Sequence, residues 1–163
     1  MEEQNTNINE DISNIDDIGI DLPDIPMPDE NARAQEIEDE FEGAYKFAII
    51  GVGQGGSRIA ETFWNLGYRR VCVINTAKQD LKYINIPEDR KLLLDHGGAG
   101  KDPETAEKIF QENSEEICDF FRAKLGTTYD RVLVCAGAGG GTGAGGAPVV
   151  FKIAQENTDA TVG

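Results

Sequence analysis

From residue 44 onwards, short apolar runs alternate with longer amphipathic segments. The apolar runs predict strands at residues 45–50, 71–74, 91–94 and 131–136. The segments between them predict helices at about 56–66, around 79–83, from 103 onwards and at about 145–156. Strands that are apolar almost throughout and alternate with helices are typical of a parallel sheet covered on both faces. The predicted fold is therefore α/β: a doubly wound, Rossmann-like parallel sheet with helices on both faces, incomplete at the C-terminus.

The predicted helix that starts at residue 103 has the clearest boundary signals. Asp102 is a typical N-cap, Pro103 suits the first helical position, and Glu104 favours the positive end of the helix. Apolar residues keep helical spacing from Ala106 as far as Leu125. The pattern therefore predicts one helix with a single buried face.

The first 43 residues have a different composition, with 15 acidic residues against one basic residue, Arg33. Residues 1–30 contain too few apolar types to offset the entropy of ordering, so residues 1–43 are predicted to be a largely disordered acidic tail, with a short helix at 31–42. Two interpretations of the tail are open: a solvated segment, or a helix that binds a protein partner through isoleucines spaced three or four apart, namely Ile8, Ile12, Ile15 and Ile18.

The remaining 120 residues, 44–163, are nearly neutral, with 15 acidic and 14 basic residues. This balance gives no electrostatic basis for direct nucleic-acid binding or for an anionic membrane, and no apolar run is long enough to insert into one. The absence of a leader pattern predicts a cytoplasmic protein. Cys72, Cys118 and Cys135 are widely separated and read as core residues, and no metal cluster can be built around the single histidine, His96.

Glycine is concentrated at three predicted strand-to-helix junctions, where parallel sheets bind ligands. The first junction, residues 51–57, offers backbone N–H groups and the side chains of Gln54 and Ser57. Taken alone it also fits a dinucleotide fingerprint, or a tight turn without a ligand. The second, residues 97–102, could bring the amides of Gly98, Ala99 and Gly100 onto a phosphate, with Lys101 either adding charge or remaining solvated.

The third junction, residues 137–148, joins a buried strand to an apolar helix. A flexible linker is the alternative interpretation, but packed elements flank this segment closely. Successive N–H groups at the start of a helix bind pyrophosphate, and the hydroxyl of Thr142 can donate a further hydrogen bond.

Residues 139–145, Gly-Gly-Gly-Thr-Gly-Ala-Gly, match the signature loop of the tubulin/FtsZ superfamily. Residues 53–59 resemble the opening nucleotide loop of tubulin, residues 75–79 the FtsZ loop after the second strand, and residues 98–104 the FtsZ loop at the terminal phosphate. The four motifs occur in family order over residues 45–163. The sequence departs from FtsZ at Ala77, usually acidic, and at Asp102, usually asparagine, and the mixture suggests a divergent prokaryotic, phage or archaeal relative.

The resemblance implies that residues 44–163 are the N-terminal portion of a GTP-binding domain. It implies a cytoskeletal GTPase that polymerises into filaments for cell division, DNA segregation or positioning, with GTP or GDP and accompanying Mg²⁺ as ligands. No catalytic or metal-ligating residue is assigned, because the family's catalytic acidic loop belongs to a second domain and acts on the neighbouring subunit. The chain alone is therefore not expected to turn over GTP. The implied nucleotide-binding residues are Gln54, Gly55, Gly56, Ser57, Arg58, Gly98, Ala99, Gly100, Gly139, Gly140, Gly141, Thr142 and Gly143.

Two other functions are open. A non-polymerising family member could bind GTP and act as a partner-binding module. An NAD(P)- or FAD-binding oxidoreductase could use the first glycine motif, but it would have an acidic residue for the ribose hydroxyls where this chain has Asn75.

Overall fold

The computed structural model describes residues 45–94 and 97–163. Their five strands form one parallel sheet in the order β3-β2-β1-β4-β5. The strands are β1 (Phe47–Val52), β2 (Val71–Asn75), β3 (Lys91–Leu93), β4 (Arg131–Ala136) and β5 (Thr161–Val162). The chain builds outward from β1 to β3, then crosses back to place β4 on the other side of β1. The predicted doubly wound α/β fold is confirmed, and the order reverses between β1 and β4, where such sheets open a crevice.

Helices cover both faces of this sheet. They are α1 (Gly53–Asn65), α2 (Lys78–Lys82), α3 (Pro103–Glu112), α4 (Ser114–Leu125) and α5 (Gly141–Asn157), with a 3₁₀ turn at Glu88–Arg90. Residues of α1 and α2 pack with Ile49 on one face, and residues of α3, α4 and α5 pack with Ala48 and Ile50 on the other. Alternate residues of β1 thus enter opposite cores and are fully buried, which explains its continuous apolar sequence.

Two predicted helix starts are wrong in position. Helix α1 begins at Gly53 rather than near residue 56, and α5 begins at Gly141 rather than near 145. Glycine has a low helix propensity, so the sequence favours loops there. Tertiary packing overrides that propensity, because a side chain on Gly145 or Gly146 would overlap the carbonyl of Pro103 or the ring of Phe110.

The single helix predicted over residues 103–125 is also wrong, since α3 and α4 are separate. The break lies at Asn113, whose backbone leaves the helical region at φ −105° and ψ 20°. Its side-chain Nδ2 donates to the carbonyl of Ile109 at 2.7 Å. The same carbonyl also accepts from the backbone N–H of Asn113 at 3.2 Å, so Asn113 caps the end of α3 with both groups. The apolar spacing continues across this break.

The predicted tail of residues 1–43, its short helix at 31–42 and its isoleucine face lie outside the described residues, as does His96. In the part of the chain that the structure describes, no helix is both long and apolar enough to cross a membrane.

Candidate functional site

A cavity of about 730 Å³ opens at the carboxyl ends of β1, β2 and β4. Four segments line it, each following a strand or leading into a helix. They contribute Val52, Gln54 and Gly55; Ala77 and Asp80; Gly98, Ala99, Gly100 and Lys101; and Gly137, Gly139, Gly140, Gly141, Thr142 and Gly143. The cavity therefore lies at the point where the strand order reverses, which is the usual ligand position in an open parallel sheet.

Ten of the predicted binding residues line this one cavity: Gln54, Gly55, Gly98, Ala99, Gly100, Gly139, Gly140, Gly141, Thr142 and Gly143. Three predicted residues do not line it. Ser57 is fully buried, and its hydroxyl donates to the carbonyl of Gly53 at 2.7 Å. Gly56 packs against the carbonyl of Cys135, and Arg58 lies on the exposed side of α1. Contact of the other ten residues with a ligand remains a prediction.

The first and third glycine segments touch each other through their backbones. A Cβ on Gly53 would lie 2.8 Å from the nitrogen of Gly143, and Gly53 has a left-handed φ of 70°. A Cβ on Gly55 would lie 3.3 Å from the Cα of Gly137. Side chains at these positions would crowd the contact between the two segments, so both glycines allow the segments to approach, and Gly55 also lines the cavity.

The second glycine segment forms a turn that is fixed on both sides. The N–H of Gly98 donates to the carbonyl of Thr76 at 2.9 Å, and the N–H of Asp102 donates to the carbonyl of Ala99 at 2.8 Å. Gly100 and Lys101 between them are both left-handed, with φ of 58° and 64°. A Cβ on Gly141 would lie 2.7 Å from the nitrogen of Asp102. This turn is therefore seated against the first residue of α5.

The start of α5 presents an anion-binding arrangement to the cavity. Its first residues, Gly141, Thr142 and Gly143, all line the cavity, and its first turn contains no acidic residue. The first N–H groups of a helix have no partner within the helix, and they lie at the positive end of its dipole. An added Cβ on Gly139 or Gly140 would meet nothing within 4 Å, so the entrance to this helix end is open.

A buried hydroxyl lies behind the cavity wall, and sequence reasoning did not assign it a role. Thr76 is fully buried, and its Oγ1 lies 2.8 Å from the Oγ1 of Thr142. Asn75, also fully buried, accepts from the N–H groups of Thr76 and Ala77 at 2.8 and 3.2 Å. The sequence signals were a polar pair at the end of a buried strand and the resemblance of residues 75–79 to the FtsZ loop after the second strand.

Two of the described residues that line the cavity are charged, Asp80 and Lys101. The Nδ2 of Asn75 donates to the Oδ2 of Asp80 at 3.3 Å. No cluster of three or more His, Cys, Asp or Glu side chains occurs among residues 45–94 and 97–163. The oxygen donors in the lining, the Asp80 carboxylate and the Thr142 hydroxyl, fit a magnesium ion that is held mainly by phosphates, since such ions take one or two protein carboxylates.

The described domain matches a known family. Residues 46–163 match the family model for the GTPase domain of the Tubulin/FtsZ family. This match covers more than half of the sequence and includes all three glycine segments around the cavity. The chain belongs to the Tubulin/FtsZ family.

Two curated relatives are similar over most of this chain. Tubulin-like protein CetZ1 of Haloferax volcanii is 37% identical over 120 residues, which cover 66% of this chain and 30% of that protein. Cell division protein FtsZ 2 of Halobacterium salinarum is 38% identical over 148 residues, covering 82% of this chain and 36% of that protein. The chain thus spans about a third of the length of these relatives.

Solved structures agree with the sequence match. The GDP-bound monomer of CetZ1 from Haloferax volcanii superposes with a TM-score of 0.66 at 34% identity, covering 72% of this chain and 39% of that one. A GTPγS-bound protofilament of CetZ2 from the same organism gives a TM-score of 0.64 at 27% identity, covering 72% and 38%. This chain therefore shares its fold with proteins that bind guanine nucleotides, one of them as a protofilament.

Proposed function

We propose that residues 44–163 are the N-terminal portion of a GTP-binding domain and that the cavity at the β1–β4 crevice binds GTP and GDP. The observation that carries this proposal is the convergence of three glycine segments on one cavity at the start of α5. Family membership supports guanine as the base, because glycine segments account only for the phosphates.

The proposal for the phosphates rests on the open helix end. Residues 139–143 supply backbone N–H groups at the positive end of α5, and Thr142 adds a hydroxyl. Residues 98–100 form the opposite rim and are seated against Gly141. A phosphate chain in this cavity would be enclosed by backbone donors without displacing any side chain at positions 139 or 140.

At the level of the whole protein, we propose a cytoplasmic GTPase that assembles into filaments for cell division, DNA segregation or positioning. The GTPγS-bound protofilament of CetZ2 supports self-association. None of the described cavity residues is proposed as catalytic. The acidic tail of residues 1–43 is proposed to bind a protein partner.

Isothermal titration with GDP, GTPγS, ATP and NAD tests the choice of nucleotide. We expect GDP and GTPγS to bind more tightly than ATP or NAD. Equal or tighter binding of NAD would contradict the proposal and favour an oxidoreductase. For a full-length protein that binds guanine nucleotides, light scattering that does not rise with the concentrations of GTP and protein would favour the non-polymerising alternative.

Gly140→Val tests whether the cavity is the binding site. The valine should fit the protein, because a Cβ at residue 140 meets nothing within 4 Å and the backbone has extended angles of φ −118° and ψ 159°. Its methyl groups would then occupy ligand space, so GDP binding should be lost while the melting temperature falls only by the modest cost of replacing the N-cap glycine of α5. Gly163→Val is a matched control, since that site is equally free of neighbours and lies outside the cavity. Unchanged affinity in Gly140→Val would place the nucleotide elsewhere.

A further inference from the structure

Asp80 places a carboxylate in a cavity that is otherwise suited to anions. It lies in the first turn of α2 and lines the cavity together with the glycine segments. One carboxylate oxygen accepts from the Nδ2 of Asn75 at 3.3 Å. Asn75 is itself fully buried and its Oδ1 accepts from two backbone N–H groups, so the carboxylate is linked to an amide that the backbone holds in place.

This carboxylate would repel a bound phosphate chain, because like charges in a shared site disfavour each other. Lys101 is the other charged residue among the described lining, but no ion pair joins it to Asp80. Asp80 therefore lacks a cationic partner among the described residues. A divalent cation between the carboxylate and the phosphates would convert the repulsion into attraction.

We propose that Asp80 is the protein ligand for the divalent cation that accompanies the nucleotide in this cavity. The proposal rests on the proposed nucleotide function. Mg²⁺ prefers hard oxygen donors and is commonly held by one or two carboxylates together with substrate phosphates. The side chain of Ala77, which also lines the cavity after β2, offers no such donor. The Asn75 amide orients Asp80 as an outer partner would orient a metal ligand.

The test measures GDP and GTPγS affinity in Mg²⁺ and in EDTA, for the parent protein and for Asp80→Asn. The parent should bind more tightly in Mg²⁺ than in EDTA. In Mg²⁺ the variant should bind about tenfold more weakly than the parent, because a metal ligand is lost. In EDTA the order should reverse, because the repulsive charge is gone. A parallel change of the variant in both conditions would show a structural role only and would overturn the proposal.

Three further variants sharpen the test. Asp80→Glu keeps the charge and should keep the dependence on Mg²⁺. Lys101→Met removes a cation and should weaken binding in both conditions, in contrast to the crossed pattern of Asp80→Asn. Glu115→Gln removes an exposed carboxylate outside the cavity and should change neither. Should Asp80→Asn fold poorly, Asp80→Ser replaces it in the same comparison.

Two outcomes separate the two proposals. If the parent protein binds neither nucleotide in either condition, the proposed nucleotide function fails. If it binds equally well with and without Mg²⁺, nucleotide binding stands and the assignment of Asp80 is overturned.

Discussion

At the scale of single residues, the contact between the hydroxyls of Thr76 and Thr142 determines which of the two can donate a hydrogen bond into the cavity. In the described part of the chain, Thr142 provides the one partner for the buried Thr76 hydroxyl. When an anion is bound, both hydroxyl hydrogens find acceptors only if Thr76 donates to Thr142 and Thr142 donates to the anion. Thr76 therefore orients a donor that it does not itself present.

A single and a double valine variant test this arrangement, since valine matches threonine in shape. Thr142→Val should weaken GDP binding by about 1.5–3 kcal/mol, the usual value of a hydrogen bond to a charged group. It should also lower the free energy of unfolding by about 1–3 kcal/mol, because the buried Thr76 hydroxyl loses its partner. The double variant Thr76→Val/Thr142→Val should recover most of that stability but none of the affinity. Urea denaturation and isothermal titration measure the two effects, and a double variant no more stable than Thr142→Val would contradict the pairing.

Gly56 shows that a glycine motif does not reveal whether each glycine faces a ligand or another part of the protein. The sequence predicts that Gly56 approaches a phosphate, but its missing Cβ makes room for the carbonyl of Cys135. Ser57 likewise bonds the carbonyl of Gly53, within its own helix, rather than lining the cavity. A glycine that approaches a ligand and one that approaches another segment satisfy the same steric requirement, so spacing alone does not separate them.

Gly56→Ala should therefore destabilise the fold, whereas Gly139→Ala should not. Alanine at residue 56 would overlap the Cys135 carbonyl, and we expect a loss of about 1–3 kcal/mol in the free energy of unfolding, as for overpacked cores. Alanine at residue 139 meets nothing within 4 Å and should leave stability nearly unchanged. Chemical denaturation of both variants measures the difference. Equal stability of the two variants would argue against the close contact at Gly56.

At the scale of elements, strands were easier to predict than helix ends. β1 and β2 are buried on both faces and β4 is buried in part, and all three appear as continuous apolar runs. The start of α5 was missed because Gly141, Gly143, Gly145 and Gly146 disfavour a helix locally, while their packing against neighbouring backbone and Phe110 requires them. The break at Asn113 was missed because the apolar spacing continues through it.

The start of α3 was predicted correctly, and its cap should make the stability of the fold depend on pH. Asp102 caps the helix by accepting from the N–H groups of Glu104 and Thr105, both at 3.2 Å. Hydrogen bonds from the Thr105 hydroxyl and the Glu104 backbone hold the pKa of Asp102 below its ordinary value. A lowered pKa means that the charged carboxylate stabilises the fold above the pKa of the unfolded chain, and that this contribution disappears as the pH falls through the folded-state value.

Asp102→Asn keeps a capping oxygen but removes the charge. The parent should be more stable than this variant at neutral pH, and the difference should shrink as the pH falls below about 4, the ordinary pKa of aspartate. Comparing urea midpoints of the two proteins across this range cancels the titration of the other carboxylates. A difference that stays constant between neutral and acidic pH would show that the charge of Asp102 contributes nothing to the cap.

At the scale of the whole molecule, the cavity is assembled from segments that are far apart in sequence. Its lining runs from Val52 to Gly143, and the sheet alone brings these positions to one edge. That convergence was predictable, because the carboxyl ends of parallel strands lie on the same side. The contributions of Thr76 and Asp80 were not predictable, because they depend on how the turn after β2 folds around the side chain of Asn75.

Residues 1–30 contribute charge to the whole molecule, and we predict that they contribute little to its stability. They hold ten acidic residues and no basic one, beside a domain that is nearly neutral. Their removal should leave the melting temperature nearly unchanged, because their composition offers few apolar side chains to a core. At low salt GDP should bind slightly more tightly without them, since a negative tail repels phosphate. The difference should vanish at physiological ionic strength, where the screening length is about 8 Å. A melting temperature several degrees lower in the shortened protein would show instead that the tail packs on the domain.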